Sequence, residues 1–212
     1  MPRRLTPLVN EYIYHVYNRG VEKRRVFRSS SDYVRFIDTI EHYQFSNPVV
    51  KLSKKDLVNL KKPDEKRLIE VIAFCLMPNH FHLMLKQKIE AGISTFVSKL
   101  TNSYTRYFNT KYDRIGPLFQ GQFKVVLVEN DDQLMHLSRY IHLNPYVSEL
   151  VNDLNDYKWS SYPCYIGQNN LSFVESKEVL GNFVSKQAYE RFVLDQSDYG
   201  LTLEKIKHSL LE

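Results

Sequence analysis

Residues 69–85 read IEVIAFCLMPNHFHLML, and the fold turns on how this stretch divides. Residues 69–77 are nearly all apolar, the pattern of a strand covered on both faces, so a central place in a sheet is expected for them. Pro78 and Asn79 supply a turn, and residues 80–85 give a second strand. Side chains alternate along a strand, so His80, His82 and Met84 project to one side while Phe81, Leu83 and Leu85 project to the other. Two imidazoles so placed stand about 7 Å apart at their Cα atoms, and their nitrogens can converge on one metal ion. A bare His-x-His is more often a pair of ordinary polar residues on a half-exposed strand, so the pair alone assigns nothing.

Upstream, residues 12–16 (YIYHV) are β-branched and aromatic and read as a strand that ends at the turn signal Asn18-Arg19-Gly20. The basic run Lys23-Arg24-Arg25 follows. Ser30, Ser31 and Asp32 then offer cap oxygens to a helix carrying Tyr33, Phe36, Ile37 and Ile40 at helical spacing. Residues 46–67 interrupt the pattern with Pro48, Pro63 and six lysines. They read as a surface insertion with one short helix, its lysines solvated in the first instance.

Downstream, Ile93, Phe96, Val97, Leu100, Tyr104, Tyr107 and Phe108 make one apolar stripe on a long helix. Gly116-Pro117 turns the chain into a strand over residues 123–128. Asp131 or Asp132 caps a further helix through Leu134, Leu137, Ser138 and Ile141, expected to end near Pro145 because a residue before proline avoids the helical region. Strand, helix, strand, strand, helix, strand is the order of a ferredoxin-like, split βαβ antiparallel sheet, an α+β fold. The expected organisation is one domain over residues 1–165 and a helical C-terminal extension over 166–212, with apolar periodicity around residues 179–193 and a last helix near 203–211.

Composition limits the function classes. A chain of 212 residues with 43% hydrophobic and 25% charged residues suits a globular protein and not a disordered one. The formal charge of +5 and pI near 9.0 favour polyanionic partners. Fifteen tyrosines and twelve phenylalanines suit base stacking beside phosphate contacts, although most must fill the core. Two cysteines make no disulfide framework, and Cys75 lies in an apolar run that points to packing. No apolar run approaches the roughly 18 residues of a membrane span, and no signal-like segment opens the chain, so a cytoplasmic protein without a membrane partner is expected.

Tyr140 and Asn144 lie four apart near the end of the third helix and can share a face. A tyrosine hydroxyl is a competent nucleophile at phosphorus once placed in line and stripped of its proton. Taken alone, Tyr140 reads equally as a packing ring and Asn144 as a helix cap. With residues 78–84 (PNHFHLM), 116–124 (GPLFQGQFK) and 139–145 (RYIHLNP), they form a set that resembles the REP-associated tyrosine transposases. These are the single-tyrosine transposase branch of the HUH (His-hydrophobic-His) single-strand DNA endonucleases. Asn18-Arg19-Gly20 and Trp159-Ser160-Ser161-Tyr162 are similar to further motifs of that family, and the resemblance runs from about residue 12 to residue 165.

The resemblance implies Tyr140 as the nucleophile and His80, His82 and Asn144 as ligands of Mg²⁺ or Mn²⁺, where two imidazoles by themselves would suggest a softer ion such as zinc. It implies cleavage and rejoining of single-stranded DNA at hairpin-forming repeats through a 5′-phosphotyrosine, by a monomer or a homodimer. Arg19, Lys23, Arg24, Arg25, Arg28, Lys124 and Arg139 are candidates to hold phosphates. The family sometimes has arginine where Gln122 stands. Two rivals stay open: a nucleic-acid-binding regulator on the same fold that no longer cuts, and a metal-dependent hydrolase with water as nucleophile.

Overall fold

Alternating burial along the first strand sets the layers of the molecule. In β1 (Ile13–Arg19), Tyr14, Val16 and Asn18 are buried while Ile13, His15 and Tyr17 are only partly covered. The computed structural model describes residues 7–46 and 66–195, so most of the lysine-rich stretch 46–67 and the helix expected near 203–211 lie outside the described residues. The two ends of that stretch meet, with Phe45 bridging Arg67 and Ser46 N–H donating to the Lys66 carbonyl.

Helix α1 (Ser30–Tyr43) follows β1, then β2 (Ile69–Met77), β3 (His80–Gln87), α2 (Gly92–Lys111), β4 (Lys124–Leu127) and α3 (Asp131–Val147). The sheet order is β2-β3-β1-β4 with every neighbouring pair antiparallel, which is the ferredoxin-like arrangement. Both α1 and α2 cover the face of Tyr14, Val16, Phe81 and Leu83, where they close the larger core with Phe36, Ile40, Phe96 and Leu100. The other face carries Ala73, Cys75, Met77 and Met84 and is covered by α3 and the tail helices α4 (Tyr162–Tyr165), α5 (Lys177–Leu180) and α6 (Lys186–Leu194). Tyr189 and Val193 of α6 share this second core with Ile141 and Leu143 of α3.

Several boundaries differ from the sequence expectation. The first strand runs on through Asn18 and Arg19, because both pair with β3 opposite Phe81 and His80. The turn begins at Gly20, where a Cβ would stand 2.3 Å from the Arg24 carbonyl oxygen, so only glycine admits that approach. Helix α1 is capped by Ser29, with Asp32 Oδ2 accepting the N–H groups of Arg28 and Ser29. Asn130 caps α3 by accepting from Gln133 N–H. Nor does α3 stop before Pro145: it continues to Val147 with the proline inside its last turn. There the ring is buried, and the missing N–H costs a single bond at a helix end.

The strand expected at the centre of the sheet, β2, is an edge strand. Its apolar run reflects cover from the tail, since Leu76 N–H donates to the Trp159 carbonyl, Ser161 N–H to Phe74 and Glu175 N–H to Val71. Trp159 itself stacks on Tyr33 at 4.6 Å. The motif at residues 159–162 thus closes the edge of the sheet.

Candidate active site

The tight β2–β3 turn at Pro78-Asn79 brings His80 to the start of β3, opposite Arg19 of β1. Tyr17 stands opposite His82, and His15 opposite Met84. Pleating therefore puts His15, Tyr17, Arg19, His80 and His82 on the face that α3 covers. The rings of His80 and His82 meet edge to face at 4.8 Å, and the ring of Tyr140, reaching down from α3, lies 5.4 Å from His82 and 6.1 Å from His15. Tyr140 is 50% exposed. Tyr17, Arg19, His80, His82 and Tyr140 open into a cleft of about 490 Å³ lined also by Asn18, Lys23, Asn79, Gln120, Gln122 and Lys124, with His15 behind His82.

Hydrogen bonds order the imidazoles. His80 Nδ1 lies 2.6 Å from Asn79 Oδ1, which accepts only, so Nδ1 carries a proton. His82 Nδ1 lies 2.9 Å from His15 Nε2, and His82 Nε2 is buried with no hydrogen bond inside the protein. Desolvation holds His82 well below the ordinary histidine pKa, with the positive potential of His80 and His15 adding to it; burial alone takes His15 down to about 4. Both rings are neutral at pH 7, the state in which imidazole ligates a metal. A buried nitrogen without a partner beside a second imidazole fits a cation. Among the described residues no group of three or more His, Cys, Asp or Glu side chains is placed to hold one.

The remaining candidates divide. Arg19, Lys23 and Lys124 line the cleft, with Arg19 Nε donating to Gln120 Oε1 at 2.6 Å. Arg24 is held by the Val21 carbonyl and Glu22, and Arg28 lies over the ring of Tyr112. Arg139 turns to α6, where it donates to the Phe192 carbonyl and stacks on that ring at 4.1 Å. Arg25 is exposed and outside the cleft. Asn144 is not among the lining residues: its Nδ2 donates to the Tyr140 carbonyl one turn back, at 2.7 Å. Rival tyrosines are occupied on the far face. Tyr104 Oη donates to the Val26 carbonyl, and Tyr107 and Tyr112 bond Asp32.

His15 is the site residue the sequence reading passed over. Its signal was the alternation in residues 13–19, which places His15, Tyr17 and Arg19 on one face. The segment 116–122 laces the cleft together, since Val21 N–H donates to the Leu118 carbonyl and Gln120 N–H to Arg19.

Comparison with known proteins bears on the same residues. Residues 50–144 match the family model described as "Transposase IS200 like", a span that runs from before β2 to Asn144 and contains His80, His82 and Tyr140. That segment is thus similar to the IS200-like transposases. No curated protein matches the chain. Among solved structures, that of a REP-associated tyrosine transposase bound to a REP hairpin superposes with a TM-score of 0.53 at 13% identity, over 82% of this chain and 98% of that one. At that identity the likeness speaks for the fold. The IS200-like segment supplies the histidine strand and the tyrosine helix, whereas β1, with His15 and Arg19, precedes it.

Proposed function

We propose that the chain cuts and rejoins single-stranded DNA at hairpin-forming sequences through a covalent link to Tyr140. The observation that carries this reading is the half-exposed phenol of Tyr140, packed against His82 in a cleft whose wall carries Arg19, Lys23 and Lys124. A strand entering the cleft meets cations along its backbone. Tyr140 Oη attacks the scissile phosphorus and gives up its proton to solvent. The bond from phosphorus to the 3′ oxygen breaks, leaving a 5′-phosphotyrosine and, once protonated, a free 3′-hydroxyl. Because the new ester keeps the energy of the old one, a second 3′-hydroxyl can attack it, free the tyrosine and join new ends.

His80 and His82 would hold a divalent ion, magnesium or manganese, and Asn144 becomes the third ligand if its amide leaves the Tyr140 carbonyl. Such an ion supplies positive charge at a non-bridging phosphate oxygen. The DNA-bound state of the structural neighbour supports a DNA partner.

Hairpin-bearing single strands incubated with the protein and Mg²⁺ or Mn²⁺ test the reading on a denaturing gel. A protein–DNA adduct that maps to Tyr140 and vanishes in Tyr140→Phe is expected. Cleavage without an adduct would mean water is the nucleophile, and binding without cleavage would mean a regulator.

A further inference from the structure

We propose that His15 is a positioning residue for His82: its Nε2 accepts the proton of His82 Nδ1, so that His82 Nε2 faces the cleft side of the sheet as a lone pair ready for a cation. The inference rests on reading His82 as a metal ligand.

The hydrogen bond between His15 Nε2 and His82 Nδ1, at 2.9 Å, contains one donor and one acceptor, so only two arrangements exist. In the first, His15 donates, and neutral His82 must carry its proton on Nε2. That nitrogen is buried and makes no hydrogen bond in the protein, so the arrangement leaves an N–H group desolvated without an acceptor. In the second, His82 donates from Nδ1 and Nε2 carries a lone pair. This is the form a cation requires, and it turns the buried nitrogen from a defect into a binding atom. Asn79 likewise takes the Nδ1 proton of His80, its Oδ1 accepting at 2.6 Å, so the two rings point their Nδ1 protons at two different neighbours. A neutral imidazole in water prefers its proton on Nε2, so both partners work against the intrinsic preference.

Packing fixes the geometry of the pair. His15 stacks on Tyr17 at 4.8 Å and on His82 at 5.1 Å, and meets the ring of Tyr140 edge-on at 6.1 Å. Neither ring can rotate freely, and the nucleophile's ring leans against both. Partners outside the coordination sphere typically change metal affinity about 10–100-fold.

The test is a long-range ¹H–¹⁵N correlation spectrum of the imidazoles in metal-free, ¹⁵N-labelled protein without DNA. Wild type is expected to show His82 protonated at Nδ1 and unprotonated at Nε2. In His15→Phe the proton should move to Nε2, and Mn²⁺ affinity, read by paramagnetic resonance, should fall about 10–100-fold. His15→Gln, whose amide oxygen can accept from Nδ1, should recover part of both. A wild-type His82 protonated at Nε2 overturns the proposal, as does His15→Phe with unchanged tautomer and Mn²⁺ affinity. If His15→Phe fails to fold, the wild-type spectrum decides alone. A wild type with the expected tautomer that takes up no Mn²⁺ sinks the ligand role of His82 while the proton placement stands.

Discussion

His82 and His142 are both buried, both pushed by desolvation below the ordinary histidine pKa, and differently completed. His142 on α3 has a partner at each nitrogen, Tyr189 Oη at 2.6 Å and Ser161 Oγ at 2.7 Å. Ser161 in turn accepts Phe74 N–H at 2.9 Å, so the ring ties α3, α6 and the sheet edge into one network. His82 has a partner at one nitrogen only; its second is buried without one, in a residue that lines the cleft beside an exposed tyrosine. A completed polar network holds structure, and an incomplete one at a cleft marks where something binds. Residues 139–145 thus serve both duties: His142 builds the scaffold with Ser161, and Tyr140 faces the opening with His80.

Exchanging damage between the two regions is the strongest way to break this contrast. His80→Ala should lower adduct formation by at least ~10²-fold, on the scale of losing one preorganised electrostatic group, while stability changes by about 1 kcal/mol or less. The gel assay and a urea titration measure the two quantities on one preparation; a variant that cuts like wild type defeats the site assignment. His142→Ala should do the reverse. It takes one partner from each of the Tyr189 and Ser161 hydroxyls and opens a cavity, for a loss of about 2–4 kcal/mol, with adduct yield per folded molecule nearly unchanged. Equal stability loss at His80 and His142 would erase the distinction.

Acid sharpens it. His142 is held down to about 3 by burial, against an ordinary value near 6.5 in the unfolded chain. Between those values the unfolded state binds the extra proton, so this residue's contribution is complete above pH 6.5 and is lost as pH falls toward 3. His142→Gln should remove about one proton from the pH dependence of unfolding in that window, roughly 1.4 kcal/mol per pH unit. Urea midpoints at several pH values read this out, and parallel curves for the two proteins would contradict it.

The smallest expected effect separates the cations. Lys23→Ala or Lys124→Ala, each lining the cleft, should weaken single-strand binding and lower the log–log salt slope by about 0.7. Arg24→Ala and Arg139→Ala, whose side chains are turned onto Glu22 and Phe192, should leave that slope within error. Slopes that fall equally for all four would mean the strand covers both groups.

What the sequence disclosed follows which interactions are local. Alternation placed His80 and His82 on one face, element order gave the ferredoxin-like sheet, and helical spacing put Tyr140 one turn from Asn144. Hidden were features set by distant chain. The cover on the edge strand β2 comes from residues 159–161 and 174–175, nearly a hundred positions away, so its apolar run imitated a central strand. The bond from His15 to His82 spans 67 positions and joins two strands that are not consecutive in the chain. Arg139 sits next to Tyr140 in the chain yet points to a helix that enters late, and no local pattern announces that.

The cover over β2 also bears on how the protein can be made and cut. A nine-residue strand of almost unbroken apolar character, stripped of the segment that pairs with it, is a template for adding strands from other molecules. Until residues 159–175 have been synthesised and have docked, the chain carries that hazard, and a proteolytic nick in the same stretch would restore it. Truncations ending before residue 159 should therefore be recovered as aggregates, so the solubility of residues 50–144 depends on residues outside them.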